Sequence, residues 1–386
     1  MPGDPMDDAV SFFRANRHRL HQAIKDYVDH ESPSGHERRL DELAERIEAD
    51  CVRLGATIDR PPLNPRPVCA RFGSGPARLA LVFHHDTVWP LGSFPDRRYE
   101  GDRWSGPGIF DMKANIPLVL LALEFIRGCR PKLLEGLVLV SSPDEETMGP
   151  VSREHLPPLL GGCRWALVFE PPTAEGAFKN RRKGVGRTEV RFEGIAAHAG
   201  NHYEKGKSAL AAAARFLLAA EALTDLDRGL TVNVGWLHGG SSVNTRPAAA
   251  ELGVDVRVMN PGQWRLFQSF VRNYRDPLQT VLTYEEQPLI PPMAAEHEGW
   301  AVLEEIQGAL GLPFRLALAG GASDGSHLAA RGVRVLDGLG VGGGGEHASD
   351  EHILAAAVQP CFQRTVLLIK RLLERDDLPS SAAGRP

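Results

Sequence analysis

The stretch LALVFHHDTV, residues 79–88, decides the fold class, because an apolar strand runs directly into polar side chains that can bind metal. The same order recurs in GLVLVSSPDEE, residues 136–146, and in WALVFEPP, residues 165–172. Short apolar strands that alternate with helical stretches favour a mostly parallel sheet covered by helices. Open α/β sheets bind ligands outside the carboxyl ends of their strands, so we expect these polar groups to meet in one crevice.

The polar side chains at the strand ends are suited to divalent metal. A buried cluster of imidazoles and carboxylates repels itself unless cations neutralise it. Nitrogen and oxygen ligands without thiolate suit zinc, cobalt or manganese. The number of carboxylates is larger than a single ion needs. We therefore predict two divalent ions per chain, about 3.5 to 4 Å apart. The candidate groups are His84, Asp86, Asp111, Glu145, Glu146, Glu170 and His347.

Length and element order predict two domains. The 386 residues exceed the roughly 250 to 300 residues at which a single core stops growing. In the middle of the chain the predicted elements follow the order βαββαβ, which is the ferredoxin-like signature. We predict an α/β domain over residues 1–185 and 293–386, interrupted by a ferredoxin-like α+β domain over residues 186–292.

One helix can be predicted in detail. Apolar residues at helical spacing place an amphipathic helix over residues 36–54, packed against the sheet. Ser34 and Glu37 have the form of a capping box, in which the serine side chain would bond the first amides of this helix.

Composition excludes several classes of partner. The formal net charge of -5 is spread along the chain without a basic stripe, so nucleic acid is not expected as a partner. The amino terminus lacks an apolar run of signal-peptide length, and no later stretch is long enough to span a bilayer, so we expect a cytoplasmic protein without a membrane partner. Five scattered cysteines without a C-x-x-C pair indicate neither a disulfide framework nor a thiolate zinc site.

A series of short strings resembles a known family. HHDTV, GPGIFDMK, DEE, FEPP, AAHAG, SSVNTRP with DVRV, GGASDGSH and GEHASDEHI follow in the order found in one co-catalytic zinc peptidase family. That family contains bacterial glutamate carboxypeptidase, acetylornithine deacetylase and succinyl-diaminopimelate desuccinylase, and this chain is closest in pattern to the glutamate carboxypeptidase-like members. The resemblance covers nearly the whole chain. It implies a zinc-binding α/β domain with an inserted ferredoxin-like lid that often dimerises.

The resemblance also implies a set of metal ligands. Asp111 would bridge two zinc ions, with Glu146 and His347 on one ion. His84 and Glu170 would bind the other ion. The implied reaction is hydrolysis of an amide bond near a carboxylate, in a dipeptide or another small-molecule amide such as an N-acyl amino acid, by a water that the metal pair activates.

Further residues take catalytic or substrate-binding roles by the same resemblance. Glu145 would be the general base that takes a proton from water and passes it to the leaving nitrogen. Asp86 would orient a ligand histidine and fix its tautomer. His198 would reach across a homodimer interface to polarise the substrate carbonyl of the neighbouring subunit. Arg257 and Asn244 would hold the substrate carboxylate.

Several alternatives remain open. His352 competes with His347 as a ligand, although the family spacing selects His347. Leu318 stands where glutamate carboxypeptidase has an arginine, which puts a glutamate side-chain pocket in doubt. A deacetylase, a desuccinylase or a hydrolytic deaminase of an aromatic amine would use the same metal chemistry.

A remote alternative is a dinucleotide-dependent oxidoreductase. Gly338, Gly340 and Gly343 satisfy the G-x-G-x-x-G pattern after a predicted strand. Residues 346–350 follow this pattern where a nucleotide-binding site would need a helix, which argues against a dinucleotide.

Overall fold

The computed structural model describes residues 8–150, 152–160 and 162–376, which divide into two compact units. The larger unit comprises the described residues of Met1–Asn180, Ala294–Ala317 and Ser323–Pro386, and the smaller unit comprises Arg181–Met293 and Leu318–Ala322. The sequence predicts residues 186–292 for the inserted domain.

The regular elements alternate along the chain. The helices are α1 (Ala9–Asp29), α2 (Glu37–Arg53), α3 (Asn115–Cys129), α4 (Ser152–Leu159), α5 (Ala209–Glu221), α6 (Pro261–Asn273), α7 (Gly299–Ala309), α8 (Asp324–Ala329) and α9 (Ala355–Asp376). The strands are β1 (Ala56–Ile58), β2 (Val68–Phe72), β3 (Leu79–His84), β4 (Arg103–Ser105), β5 (Leu137–Ser142), β6 (Trp165–Val168), β7 (Phe178–Arg182), β8 (Gly184–Glu193), β9 (Ala197–His198), β10 (Thr231–Gly239), β11 (Thr245–Arg246), β12 (Ala249–Val258), β13 (Val281–Glu286), β14 (Met293–Ala294), β15 (Leu316–Ala319), β16 (Arg334–Leu336), β17 (Gly343–Gly344) and β18 (His352–Leu354). Within the described residues, no helix is long and apolar enough to cross a membrane.

A six-stranded sheet forms the framework of the larger unit, in the order β1-β2-β5-β3-β6-β16. Strands β5, β3, β6 and β16 run parallel, and β1 and β2 add an antiparallel edge. Every residue of β3 and β5 is buried, which explains why both strands have continuous apolar sequences instead of alternating ones. The predicted mostly parallel α/β domain is therefore confirmed.

Helix α2 is confirmed, but its predicted capping box is wrong. His36 occupies the N-cap position, and no side chain caps the helix there. The hydroxyl of Ser34 instead donates to Asp86 Oδ2 at 2.7 Å and to the carbonyl of Thr87 at 3.2 Å. The Ser34 hydroxyl therefore bonds a buried carboxylate and not the amides at the start of the helix.

The smaller unit has the predicted ferredoxin-like order. Its antiparallel sheet runs β10-β12-β8-β13. Apolar residues from α5 and α6 and from alternate positions of the strands form its core. In β12, for example, residues alternate between buried and partly exposed along the strand, as expected for a sheet covered by helices on one face only.

Candidate metal centre and active site

A first group of metal-competent side chains lies at the carboxyl ends of β3 and β6. His84 Nε2 is 2.9 Å from Asp111 Oδ1 and 3.6 Å from Glu170 Oε1, and all three residues are buried. Ligand atoms around a tetrahedral zinc ion lie about 3.3 Å apart when the bonds are about 2.0 to 2.1 Å long. This triangle therefore has the dimensions of a metal site.

A second group shares Asp111 with the first. His347 Nε2 is 3.4 Å from Asp111 Oδ2 and 3.0 Å from Glu146 Oε2. Asp111 thus directs one carboxylate oxygen to each group, as a bridging ligand would. The structure brings all five residues predicted as metal ligands together in these two groups.

The local backbone explains how the second group is formed. Glu146 lies in the short helical turn Glu145–Thr147, which begins three residues after β5 ends. His347 has a φ of 62°, in the left-handed region that residues other than glycine seldom adopt. His352 lies in β18, where its Nδ1 contacts the carbonyl of Asp350 at 2.8 Å. Of the two competing histidines, it is therefore His347 that joins the group.

Asp86 connects one metal group to the loop after β5. One of its oxygens lies 3.4 Å from His84 Nδ1, the ring nitrogen that faces away from Asp111. Its two oxygens also accept the backbone N–H groups of Glu145 and Glu146, each at 3.2 Å. The backbone carbonyl of Asp86 is closer still, at 3.1 Å from His84 Nδ1. Asp86 is fully buried, and its backbone and side chain together position the histidine ring and the following acidic pair.

The charged groups in this cluster shift one another's pKa values. Burial opposes charge on Asp111, but hydrogen bonds from His347 and His84 outweigh it and hold the pKa of Asp111 well below its usual range. Hydrogen bonds to Asp111 and Glu146 raise the pKa of His347 to about 11. Burial works against a charge on His84, yet Asp111 and Asp86 raise its pKa well above 6.5. The imidazoles therefore carry protons that a metal ion would have to displace.

Glu145 has the environment of a proton acceptor. Burial and the neighbouring charge of Glu170 raise the pKa of Glu145 well above its usual 4.5. A carboxylate whose pKa is raised binds a proton more readily than an ordinary glutamate, as a group that accepts and passes on a proton must.

Glu351 holds the loop that carries Asp111, and sequence reasoning gave it no role in the site. Its Oε1 accepts the backbone N–H groups of Phe110 at 2.9 Å and Asp111 at 3.1 Å. Its Oε2 accepts the N–H of Gly108 at 3.1 Å and Trp89 Nε1 at 2.7 Å. Glu351 is 1 % exposed, and it lies four residues after His347. One carboxylate therefore connects the segments that carry two of the ligands.

A buried carboxylate at the start of α8 was also missed. Asp324 accepts a hydrogen bond from Ser142 at the end of β5, at 2.5 Å. Burial and the charge of Asp144 raise the pKa of Asp324 to about 7, against that hydrogen bond. Asp324 was not selected from the sequence, because it lies at the start of a helix and the candidates were sought at the ends of strands.

The glycine-rich run has a packing role. A Cβ on Gly340 would come within 2.9 Å of the carbonyl oxygens of Phe169 and Glu170, and one on Gly343 within 2.1 Å of the carbonyl oxygen of His352. Gly343 and Gly344 form β17, which pairs with β18. The G-x-G-x-x-G pattern thus ends in a short strand followed by a turn. The glycines are explained by the close approach of neighbouring backbone.

Two of the remaining predicted residues, His198 and Asn244, lie near the β9–β11 pair of the smaller unit. His198 pairs with Thr245 across the two strands. Its Nδ1 accepts the backbone N–H groups of Gly200 and Asn201, each at 3.1 Å. The neutral ring then carries its proton on Nε2. Asn244 is exposed, and its side-chain oxygen accepts from Ser242 at 2.5 Å.

Arg257 lies on β12 with a partner already in place. Its Nε and a terminal nitrogen donate to both oxygens of Asp255, at 2.6 and 3.0 Å. Arg187 on the adjacent strand reaches the same carboxylate at 3.5 Å. Two guanidinium groups therefore share one carboxylate.

Comparison with known proteins identifies relatives along the whole chain. Residues 180–272 match the family model of the peptidase dimerisation domain of M20 peptidases. Carboxypeptidase G2 of Pseudomonas sp. (strain RS-16) is 25% identical over 373 residues, covering 91% of this chain and 88% of the relative. Succinyl-diaminopimelate desuccinylase of Thioalkalivibrio sulfidiphilus is 27% identical over 336 residues, covering 78% and 86%. The crystal structure of a tripeptidase from Staphylococcus aureus superposes with a TM-score of 0.78 at 20% identity, covering 93% of this chain and 99% of that one.

Fold, site and relatives together define a class of protein, the metal-dependent hydrolases of amide bonds. Within this class the chain is related to the M20 peptidases and carries their dimerisation domain. The resemblance predicted from the short strings is thereby confirmed.

Proposed function

We propose that this chain hydrolyses an amide bond next to a substrate carboxylate, with two divalent metal ions and Glu145 as general base. The observation that carries the proposal is the pair of ligand groups that share Asp111. The donors are imidazole nitrogens and carboxylate oxygens, a set that fits zinc and also accommodates cobalt or manganese. His84 and Glu170 would hold one ion, and Glu146 and His347 the other.

The ions, when bound, would supply a water of lowered pKa, about 7 for zinc, and would polarise the substrate carbonyl. Glu145 would accept the proton of that water and transfer it to the leaving nitrogen. The raised pKa of Glu145 supports this role, because burial and the charge of Glu170 make the carboxylate a better proton acceptor. Asp86 would keep the base in place through the backbone of the acidic pair.

Arg257 would bind the substrate carboxylate, with Asn244 beside it as a further polar contact. The two arginines on Asp255 support this assignment, because both guanidinium groups share a single carboxylate acceptor. An incoming carboxylate would accept the guanidinium hydrogens that Asp255 does not use.

We propose further that the protein is a homodimer and that His198 serves the partner's site. The ring of His198 would present Nε2–H as a donor to the developing oxyanion, since Nδ1 is occupied by two backbone N–H groups. Strand β10 is an edge strand that pairs only with β12 among the described residues, and Leu218 on the adjacent α5 is 71 % exposed. A second copy would cover both features, as expected for unpaired strand edges.

Two experiments test the function. Elemental analysis after mild dialysis should find two divalent ions per chain, and full activity at a stoichiometry of one would exclude the two-ion centre. A panel of dipeptides, N-acetyl, N-succinyl and N-benzoyl amino acids, assayed with zinc, cobalt or manganese, should give hydrolysis that depends on the free carboxylate. Release of ammonia from an aromatic amine, with no amide cleaved, would favour the deaminase alternative instead.

A further inference from the structure

A buried arginine lies in an otherwise exposed part of the smaller unit. The β9–β11 pair is formed by two segments, residues 195–205 and 241–249, and the only buried residue of both segments is Arg246, at 9 % exposed. Most of the other residues in these segments, including His198, are exposed. Since the segments bury no apolar side chain, other contacts must hold them in one conformation.

Arg246 has no anionic partner in the part of the chain that the structure describes. Its side chain makes no hydrogen bond and no ion pair with the described residues, and its Nε is buried without an acceptor. The guanidinium instead lies over the ring of Tyr203, 4.0 Å from the centroid. Because buried arginines are ordinarily paired, the cation–π contact with Tyr203 is the interaction that holds this side chain.

Gly206 makes room for the side chain of Arg246. A Cβ at Gly206 would come within 2.7 Å of Arg246 Cδ and within 2.8 Å of Ala197 Cβ. The φ of Gly206 is -87°, which any residue can adopt, so the backbone conformation does not require glycine here. The need for a small residue comes from the arginine side chain that passes over this position.

Arg246 contacts the loop that orients His198, residues 199–206, on two sides. Two backbone N–H groups of this loop donate to Nδ1 of His198, each at 3.1 Å. Tyr203, in the middle of the loop, covers the guanidinium. On the adjacent strand, Arg246 pairs with Ala197, the residue before His198. The arginine therefore connects the strand before the histidine with the loop after it.

We propose that Arg246, stacked on Tyr203, holds the 199–206 loop and thereby positions the imidazole of His198. Resting on the proposed function, this stack sets the Nε2–H of His198 for its action in the partner subunit's site. Arg246 is a positioning residue, because it acts through the histidine and the loop.

Hydrogen exchange of the metal-free protein measures how often the loop opens, without any reaction. Arg246→Met keeps an unbranched side chain but removes the guanidinium. It should speed exchange of the two N–H groups bonded to His198 by about 5- to 30-fold, the factor for loss of a desolvated cation–π contact. Gly206→Ala leaves the arginine in the chain but displaces it, so the same change is expected. Tyr203→Phe keeps the ring and should exchange like the wild type, as should Lys205→Met, the matched control for loss of an exposed charge in the same loop.

Mixing of variant subunits shows in which chain Arg246 acts. Arg246→Met alone should keep its metal and lose about 5- to 30-fold in kcat, because no other buried side chain holds the loop. Its own Glu145 is intact, and only the histidine that it lends to its partner is misplaced. With Glu145→Ala it should therefore recover roughly a quarter of wild-type activity, since each mixed dimer has one complete site. With His198→Ala the activity should stay at about a tenth of wild type or less, because every site receives a missing or misplaced histidine.

The outcomes separate this inference from the proposed function. Recovery with His198→Ala instead of Glu145→Ala would place the action of Arg246 in its own chain and overturn the inference. It is also overturned by unchanged hydrogen exchange in both Arg246→Met and Gly206→Ala, or by failure to recover with Glu145→Ala when His198→Ala and Glu145→Ala complement each other. If exchange rises as expected but those two variants do not complement, or no amide is cleaved, the positioning of the loop stands and the proposed function fails.

Discussion

Replacing Glu351 with glutamine tests whether this buried carboxylate holds Asp111, the proposed bridging ligand, in place. The carboxylate accepts four hydrogen bonds, from Trp89 and from the backbone of Gly108, Phe110 and Asp111. In Glu351→Gln, the amide oxygen can keep one pair of donors, but the NH2 group then faces the other pair. Two buried N–H donors lose their acceptor, at about 1 to 3 kcal/mol each, so we expect a loss of about 2 to 6 kcal/mol in the free energy of unfolding.

Denaturant unfolding after metal removal gives the first measurement, and metal affinity gives the second. Burial raises the pKa of Glu351 to about 7, so the comparison belongs at about pH 8, where the carboxylate is ionised. The variant should also bind metal about 10- to 100-fold more weakly, as is typical when the partner of a ligand is lost. Glu346→Gln, at an exposed glutamate of the same loop, is the matched control. A Glu351→Gln protein with unchanged stability and metal content would refute the reasoning.

Four further predictions concern the proposed chemistry. Glu145→Gln should keep its metal and lose about 10²- to 10⁴-fold in kcat, whereas Glu146→Gln should lose a metal ion. Elemental analysis and kinetics measure both effects, and the reverse pattern would mean that the roles of the two glutamates are exchanged. Metal affinity should rise with pH, because the imidazolium of His347, whose pKa is about 11 without metal, must release its proton when a metal ion binds. Calorimetry in buffers of different ionisation enthalpy should detect at least one released proton, and binding without proton release would contradict this prediction. Arg257→Ala should lower kcat/KM by about 10- to 150-fold on a substrate with a free carboxylate and much less on its amide. Equal losses on the two substrates would mean that Arg257 has only a structural role. Mixing the inactive His198→Ala and Glu145→Ala proteins should restore roughly a quarter of wild-type activity through mixed dimers with one complete site, and a mixture that exchanges subunits but stays inactive would exclude action across the interface.

The sequence predicts most of this fold because its periodicities are strong. Continuous apolar runs mark β3 and β5, and the order of elements identifies the ferredoxin-like unit. Helix α1 was not predicted, since its apolar residues are mixed with charged ones in SFFRANRHRLHQAI. Most of the candidate ligands were selected because they follow a strand end, which is a local pattern, and their grouping on two ions was implied by the resemblance to a known family.

The residues that sequence reasoning missed act through distant contacts. Glu351 bonds a loop about 240 positions earlier in the chain, and Asp324 bonds Ser142 from 182 positions away. Ser34 was assigned to a helix cap because local patterns cannot show that a buried carboxylate 52 positions away competes for its hydroxyl. The register of β10 against β12 shifts between Val234 and Trp236, and this shift is similarly invisible in sequence because it depends on how the two strands pair.

Asp86 has a consequence for how such an enzyme can change over evolution. One side chain supports a ligand histidine and the backbone of both acidic neighbours after β5. On the proposed function, a mutation of Asp86 would disturb metal retention and proton transfer at once. The proposed chemistry would therefore be kept or lost as a unit, whereas an exposed side chain of the smaller unit such as Leu218 could change without affecting these contacts.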